Sequence, residues 1–298
     1  MRKNQFILLF LLAALFTGCQ EKKGLKVMMP SSDGSSVKYD EAVPDTLQTQ
    51  LVAYADSNLS ALVKVDAEYP VSEGPVFDSL RSHVSSDLEL MLNFFGTGEE
   101  GQKNVKAYQG SLADGHRVVE HYGRAGMKYL LHESAEIDHY STDMNDEQFT
   151  TFVHMNFQEK NDQYYTYTTS AEFYLGGAHG SYGIKGTTVD AVTGQRIREV
   201  VSPKKAKAMQ RLLEDGVMEY FKDCDQPVKR EELKDYLFLN NGPIPIPAQQ
   251  PYLTKDGVCF VYQQYEIAAY AVGLITFTIP YAKIAPYLSP AARRVLKM

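Results

Sequence analysis

The residues most suited to chemistry lie in a glycine-dense stretch, Gly176-Gly177-Ala178-His179-Gly180-Ser181-Tyr182-Gly183. A histidine in such a turn can act as a base or a metal ligand, because its ring titrates near neutrality and glycine backbone admits close approach. Ser181 follows closely, but the residues after it read as strand. A nucleophile elbow requires a helix there, and so does a phosphate cradle. A second cluster, Tyr262, Tyr265, Glu266 and Tyr270, lies far downstream. A carboxylate among tyrosines supports glycoside chemistry when a second carboxylate stands at a set separation, and Asp190 is the available partner. The simpler readings are favoured. His179 bonds to a backbone carbonyl or serves recognition, and Glu266 bonds backbone around an irregular strand break at residues 268–273. Exposed tyrosines also suit a protein-binding surface. No catalytic residue is assigned.

His116, His121, His132 and His139 have acidic neighbours Glu120, Glu133, Glu136 and Asp138. No pair has the i, i+4 spacing around a glutamate that makes a zinc helix. They read as surface histidines, and neither metal nor cofactor is expected.

The elements that must position these residues follow from periodicity. Residues 60–70 alternate, with Ala61, Val63, Val65 and Ala67 on one face, which predicts a strand. Pro75 opens a helix whose apolar stripe, Val76, Leu80, Val84, Leu88, Met91 and Leu92, runs to about residue 94. Gly96, Gly98 and Gly101 end it. A second helix is expected over 105–132, with Gly115, Gly123 and Gly126 as weak points or sites of close packing. Residues 149–157 and 165–173 alternate on either side of Asn161-Asp162, predicting a long hairpin that feeds the glycine stretch. Residues 184–190 continue as strand, Thr193-Gly194 turns, and 195–200 pairs back. Ser202-Pro203 caps a helix to about residue 221, and 231–239 is a short helix. After a proline-rich segment, strands are expected at 258–262 and 274–279, then short helices at the C-terminus. Nothing supports a parallel sheet with crossover helices. The expected fold class is α+β, with antiparallel sheets, helices packed on one face and two consecutive subdomains.

The chain of 298 residues carries a net charge of −7, with no basic face for nucleic acid. Its 20 tyrosines and absent tryptophan fit half-solvated antiparallel strands. Arg2 and Lys3 precede an apolar run from Phe6 to Phe16, too short to span a bilayer, which ends at Thr17-Gly18-Cys19. Residues 1–18 read as a lipoprotein signal peptide, with Cys19 as the lipidated residue and residues 19–45 as a flexible tether. An ordinary signal peptide is the plainer alternative. The protein is expected to be exported and anchored in the bacterial cell envelope, on the periplasmic face or the cell surface. Cys224 and Cys259 either form a bridge or are two small buried hydrophobes.

Gly176-Gly177-Ala178-His179, then Thr187-Thr188-Val189-Asp190 with Thr193-Gly194, and downstream Tyr262-Gln263-Gln264-Tyr265-Glu266-Ile267-Ala268 with Ala271, Gly273, Phe277, Ile279, Pro280 and Tyr281, resemble the RsiV-like extracellular domain. That domain occurs in lysozyme-sensing anti-sigma regulators and in many exported proteins. The preceding unit resembles the domain that usually comes before it, also found in PdaC-type peptidoglycan deacetylases. The resemblance implies residues 46–170 as a PdaC/RsiV-type N-terminal α+β domain and 171–298 as an RsiV-like C-terminal domain. A lipoprotein signal stands where the anti-sigma members have their sigma-binding segment, and no catalytic deacetylase domain is present. The expected function is non-enzymatic binding of a protein, with a lysozyme-like one as a candidate, or of a cell-wall ligand. The alternative is a cell-wall glycan hydrolase or deacetylase using His179 and Glu266.

Overall fold

The computed structural model describes residues 46–94, 104–138, 148–239 and 242–298. Cys19, the segment before residue 46, the glycines at 96, 98 and 101, and His139 lie outside the described residues. The fold is α+β, built on two sheets.

The larger sheet has the order β1 (Thr49–Ser57), β2 (Ala61–Pro70), β3 (Phe149–Lys160), β4 (Tyr164–Tyr174), β5 (Ser181–Asp190). Between β2 and β3 come α1 (Pro75–Leu92) and α2 (Gly115–Asp138). The alternating residues Ala61, Val63, Val65 and Ala67 are fully buried, as are Val84, Leu88 and Met91 of the α1 stripe. Both helices pack on this one face of the sheet, which period-two strands and a period-3.6 helix make apolar. On the opposite face of the β1–β3 end, polar pairs such as Asp66–His154 and Glu68–Lys160 meet solvent.

Three expectations need correction. β2 and β3 pair in parallel, Ala61 opposite Phe149, with α1 and α2 as the crossover. A search for alternating strand and helix missed it because two helices separate a single parallel pair. The expected division between residues 170 and 171 falls inside β4, and β5 belongs to the five-stranded sheet. The β4–β5 ladder is continuous from Tyr164–Asp190 to Phe173–Ser181, so the two strands cannot part there. Finally, α2 starts at Gly115, not 105. Asn93 holds Val105 in a bend through both its N–H and C=O, and Asp114 accepts from the Arg117 N–H at the helix start. The α2 glycines serve close packing, with the Tyr69 and Tyr54 rings lying where side chains at 115 and 123 would stand.

The second sheet is β6 (Tyr252–Thr254), β7 (Gly257–Tyr262), β8 (Ile275–Pro280). Every residue of β7 is buried. Val258, Phe260 and Tyr262 join the core under α3 (Gln210–Asp223), while Cys259 and Val261 face Tyr182 and Ile184 of β5. Cys259 is a free, buried thiol, which excludes a bridge to Cys224. Ser202-Pro203 opens a 3-10 turn through Met209 before α3, with no side-chain cap bond at Ser202. The expected pairing of 195–200 reduces to a bridge between Val189 and Arg196. The short helix α4 (Leu233–Tyr236) precedes β6, and the chain closes with α5 (Tyr281–Ile284) and α6 (Pro290–Val295). No helix of the described residues is long and apolar enough to cross a membrane.

One buried charge ties these parts together. Asp87 of α1 is 1% exposed. Its Oδ2 accepts from the Tyr167 hydroxyl at 2.8 Å, the Thr187 hydroxyl at 2.7 Å and the Lys185 ammonium at 3.3 Å. Arg196 Nη2 stands 3.1 Å and Lys185 Nζ 3.3 Å from Oδ1, as ion pairs rather than aligned hydrogen bonds. Burial pulls the Lys185 pKa down, with Asp87 opposing it, and burial raises that of Tyr167.

Two stability outcomes follow. Asp87→Ala leaves two enclosed cations without their acid, and urea denaturation should show a loss of about 3–5 kcal/mol. A loss within about 0.5 kcal/mol, as at an ordinary surface site, would refute the role given to this network. Gly186 of β5 has the Tyr252 ring against it, and an added Cβ would stand 1.8 Å from a ring carbon. Gly186→Val should therefore lower stability by about 1–3 kcal/mol despite the better strand propensity of valine.

Candidate functional site

The tip of the β4–β5 hairpin holds the residues singled out from sequence. Gly176 and Gly177 turn the chain with φ of 83° and 98°, in the region where glycine is favoured. Ala178 and His179 then stand exposed. The His179 Nδ1–H donates to the Gly180 carbonyl at 2.9 Å, and the Tyr270 hydroxyl donates to the same carbonyl at 2.8 Å. Since a carbonyl only accepts, the proton sits on Nδ1 in this bond. The two rings stack with centroids 3.8 Å apart and planes 22° apart. Tyr265 adds a third ring, 5.7 Å from Tyr270, and is 60% exposed. Its φ of 65° is uncommon for a side-chain-bearing residue.

The loop carrying these tyrosines is stapled in place. Glu266 accepts from the Ala248 N–H at 2.6 Å and from the Gln263 N–H at 2.7 Å, one bond to each oxygen. The Gln263 amide accepts from the Ile184 N–H and donates to the Ile184 C=O, and Gln264 accepts from the Tyr182 N–H. Two glutamines thus cover part of the β5 edge, which would otherwise be open. Tyr262 is fully buried, donates to the Pro245 carbonyl at 2.8 Å, and has its pKa raised by burial.

Asp190 does not join this group. It ends β5, where its Oδ1 accepts from the Val192 and Thr193 N–H groups and shapes the turn. Tyr182, which Gln264 contacts, lies roughly 25 Å away along the strand. Paired glycosidase carboxylates stand within about 10 Å of each other. The structure therefore brings together His179, Tyr265, Tyr270 and Glu266, and leaves Asp190 at the opposite end of β5. Glu266 bonds two backbone N–H groups and His179 a backbone carbonyl. His121 likewise bonds the Lys106 carbonyl and packs against Tyr108 and Tyr122. Among the described residues no group of three His, Cys, Asp or Glu side chains stands together as a metal site.

Sequence reasoning passed over a second place. A cavity of about 280 Å³ runs beside the middle of β5, between Gly186–Thr188, Arg196–Arg198 and the extended segment 248–251. Lys185 and Arg196 reach its wall from the Asp87 network. The residues that form it are far apart in sequence, from Lys185 to Pro251, and share no motif. The available signal was Asp87 itself, a charge three residues after Val84 on the apolar stripe of α1.

Residues 198–282 match a family described as "Protein of unknown function (DUF3298)". The match begins after β5 ends, so the hairpin tip lies outside it. None of the curated proteins compared matches the chain. Among solved structures, a member of the DUF3298 family from Bacteroides fragilis NCTC 9343 is similar with a TM-score of 0.59 and 20% identity, covering 84% of this chain and 97% of that one. A DUF3298 family protein from Pseudomonas aeruginosa PAO1 is similar with a TM-score of 0.55 and 16% identity, covering 83% and 97%. At these identities the likeness shows a shared fold. The similarity to the DUF3298 family thus rests on residues 198–282 in sequence and on the fold in structure.

Proposed function

We propose that the protein is a lipid-anchored module of the cell envelope that binds a protein or cell-wall ligand without turning it over. The observation that carries the reading is the exposed aromatic surface of His179, Tyr270 and Tyr265, held by bonds to Gly180 and by the Glu266, Gln263 and Gln264 staples. Fixed aromatics supply contact area at low conformational entropy cost. The carboxylate that would best serve a reaction there, Glu266, has both oxygens engaged by backbone N–H groups. The RsiV-like motifs support a lysozyme-like protein as one ligand and a PdaC/RsiV-type unit before them. The apolar run ending at Cys19 supports export, with diacylglycerol and acyl chains on that cysteine.

Calorimetry with lysozyme and with soluble peptidoglycan fragments tests the binding. Tyr265→Ala should weaken it by more than about 1 kcal/mol, the scale of an interface anchor, without moving the melting temperature. Absence of binding to both ligands at low salt would sink the reading. Turnover of a wall substrate that His179→Ala abolishes would instead establish the hydrolase or deacetylase alternative. For the anchor, Cys19→Ser should shift the protein from the membrane fraction to the soluble one after cell lysis. Retention in the membrane would refute lipidation at that residue.

A further inference from the structure

The outward edge of β5 is closed at most steps. Even-numbered residues turn their backbone groups away from β4, as alternation in an antiparallel pair requires. Tyr182 N–H is bonded by Gln264, and Ile184 N–H and C=O by Gln263. The Thr188 carbonyl accepts from Ile197 and the Asp190 N–H donates to Gln195. Three groups between these have no partner among the described residues: the N–H and C=O of Gly186 and the N–H of Thr188. The cavity lies along them. Thr188 is buried and Gly186 half-buried, and backbone groups so placed beside a cavity are suited to a partner that both donates and accepts.

The rest of the lining has matching chemistry. Lys185, Arg196 and Arg198 supply three cations, and no acidic side chain lines the cavity. Asp87 holds the first two from behind, while Arg198 is exposed and has no acidic partner among the described residues. Arg196 Nε and Gln250 Oε1 are buried without hydrogen-bond partners among the described residues. The Gln263 amide on Ile184 shows what fits such an edge: one group that donates to the carbonyl and accepts from the N–H.

We propose that this cavity binds a ligand with a carboxylate next to an amide, the chemistry of a peptide C-terminus or an N-acyl amino acid. The amide lies on Gly186 and Thr188 as an added length of strand, and the carboxylate meets Arg196 and Arg198. The Gln250 carbonyl oxygen takes a ligand N–H. The volume is near the lower end of ligand sites, which limits the seated part to one or two residues. This site stands apart from the aromatic surface and does not rest on the role given to it.

The test is calorimetry of the full-length protein with N-acetyl-alanyl-alanine, its C-terminal amide, N-acetyl-alanine and acetate, together with amide hydrogen exchange over residues 184–190. The dipeptide acid should bind saturably, the C-terminal amide at least about tenfold more weakly, and exchange should slow across this segment. Arg198→Glu, an exposed change, should weaken the acid by about tenfold, while Tyr265→Ala should leave it unchanged. Tighter binding of the dipeptide than of N-acetyl-alanine assigns a peptide terminus, and equal binding assigns an N-acyl amino acid. No saturable binding of the acid, equal binding of acid and amide, or acetate giving the same protection as the dipeptide would each overturn the proposal.

Discussion

Asp87 is the constraint on which the arrangement turns. A carboxylate so enclosed is stable only when its charge is matched and its lone pairs are occupied. The partners come from β4 (Tyr167), from β5 (Lys185, Thr187) and from the segment after the Asp190 turn (Arg196). The position of α1 over the sheet is thereby fixed in register as well as by apolar packing. The same region is reinforced by His83, whose ring bonds the Gly194 carbonyl and whose own carbonyl accepts from Arg196. Apolar contact alone would permit α1 to slide by a turn; matched charges at set positions do not.

The second sheet depends on that frame. β5 faces α1 with Lys185 and Thr187 and faces the second sheet with Ile184, Gly186 and Thr188. The contact is made by side chains that imitate backbone: Gln263 and Gln264 on the β5 edge, and Thr188 of β5, whose hydroxyl accepts from the Leu253 N–H. Between these anchors the Tyr252 ring lies on the bare backbone at Gly186. Of the two surfaces of functional interest, the hairpin tip lies at one end of this contact and the cavity beside its middle.

Much of the frame was legible in the sequence. The period-two runs of β2, β3 and β4 and the stripe of α1 each have a buried face, so burial and local preference agree. Glu266 as a staple was legible too, because a carboxylate beside an irregular loop has backbone N–H groups to satisfy. What periodicity does not encode is which strands become neighbours. The parallel seating of β3 against β2 and the place of β5 in the first sheet depend on contacts across long separations. The Asp87 network was hidden for the same reason: residues 87, 167, 185 and 196 carry no shared motif, and only a charge on an apolar stripe hinted at it. The role of Asp190 was not legible, because an acidic residue at a strand end looks alike whether it shapes a turn or faces a cleft.

The parallel pair has a consequence for how the chain reaches this state. β3, β4 and β5 are joined by short turns and can zip together as soon as they exist. β2 cannot take its place until α1 and α2 have closed a loop from Ala61 to Phe149, and such non-local closure slows folding. During that interval the β2 side of β3 is an unpaired edge of alternating Phe149, Val153, Met155 and Phe157, open to pairing with another chain. Synthesis from the N-terminus delivers β2 and then both helices before β3 appears. The first half of the crossover is then already made when its partner strand arrives, and the exposed edge is short-lived.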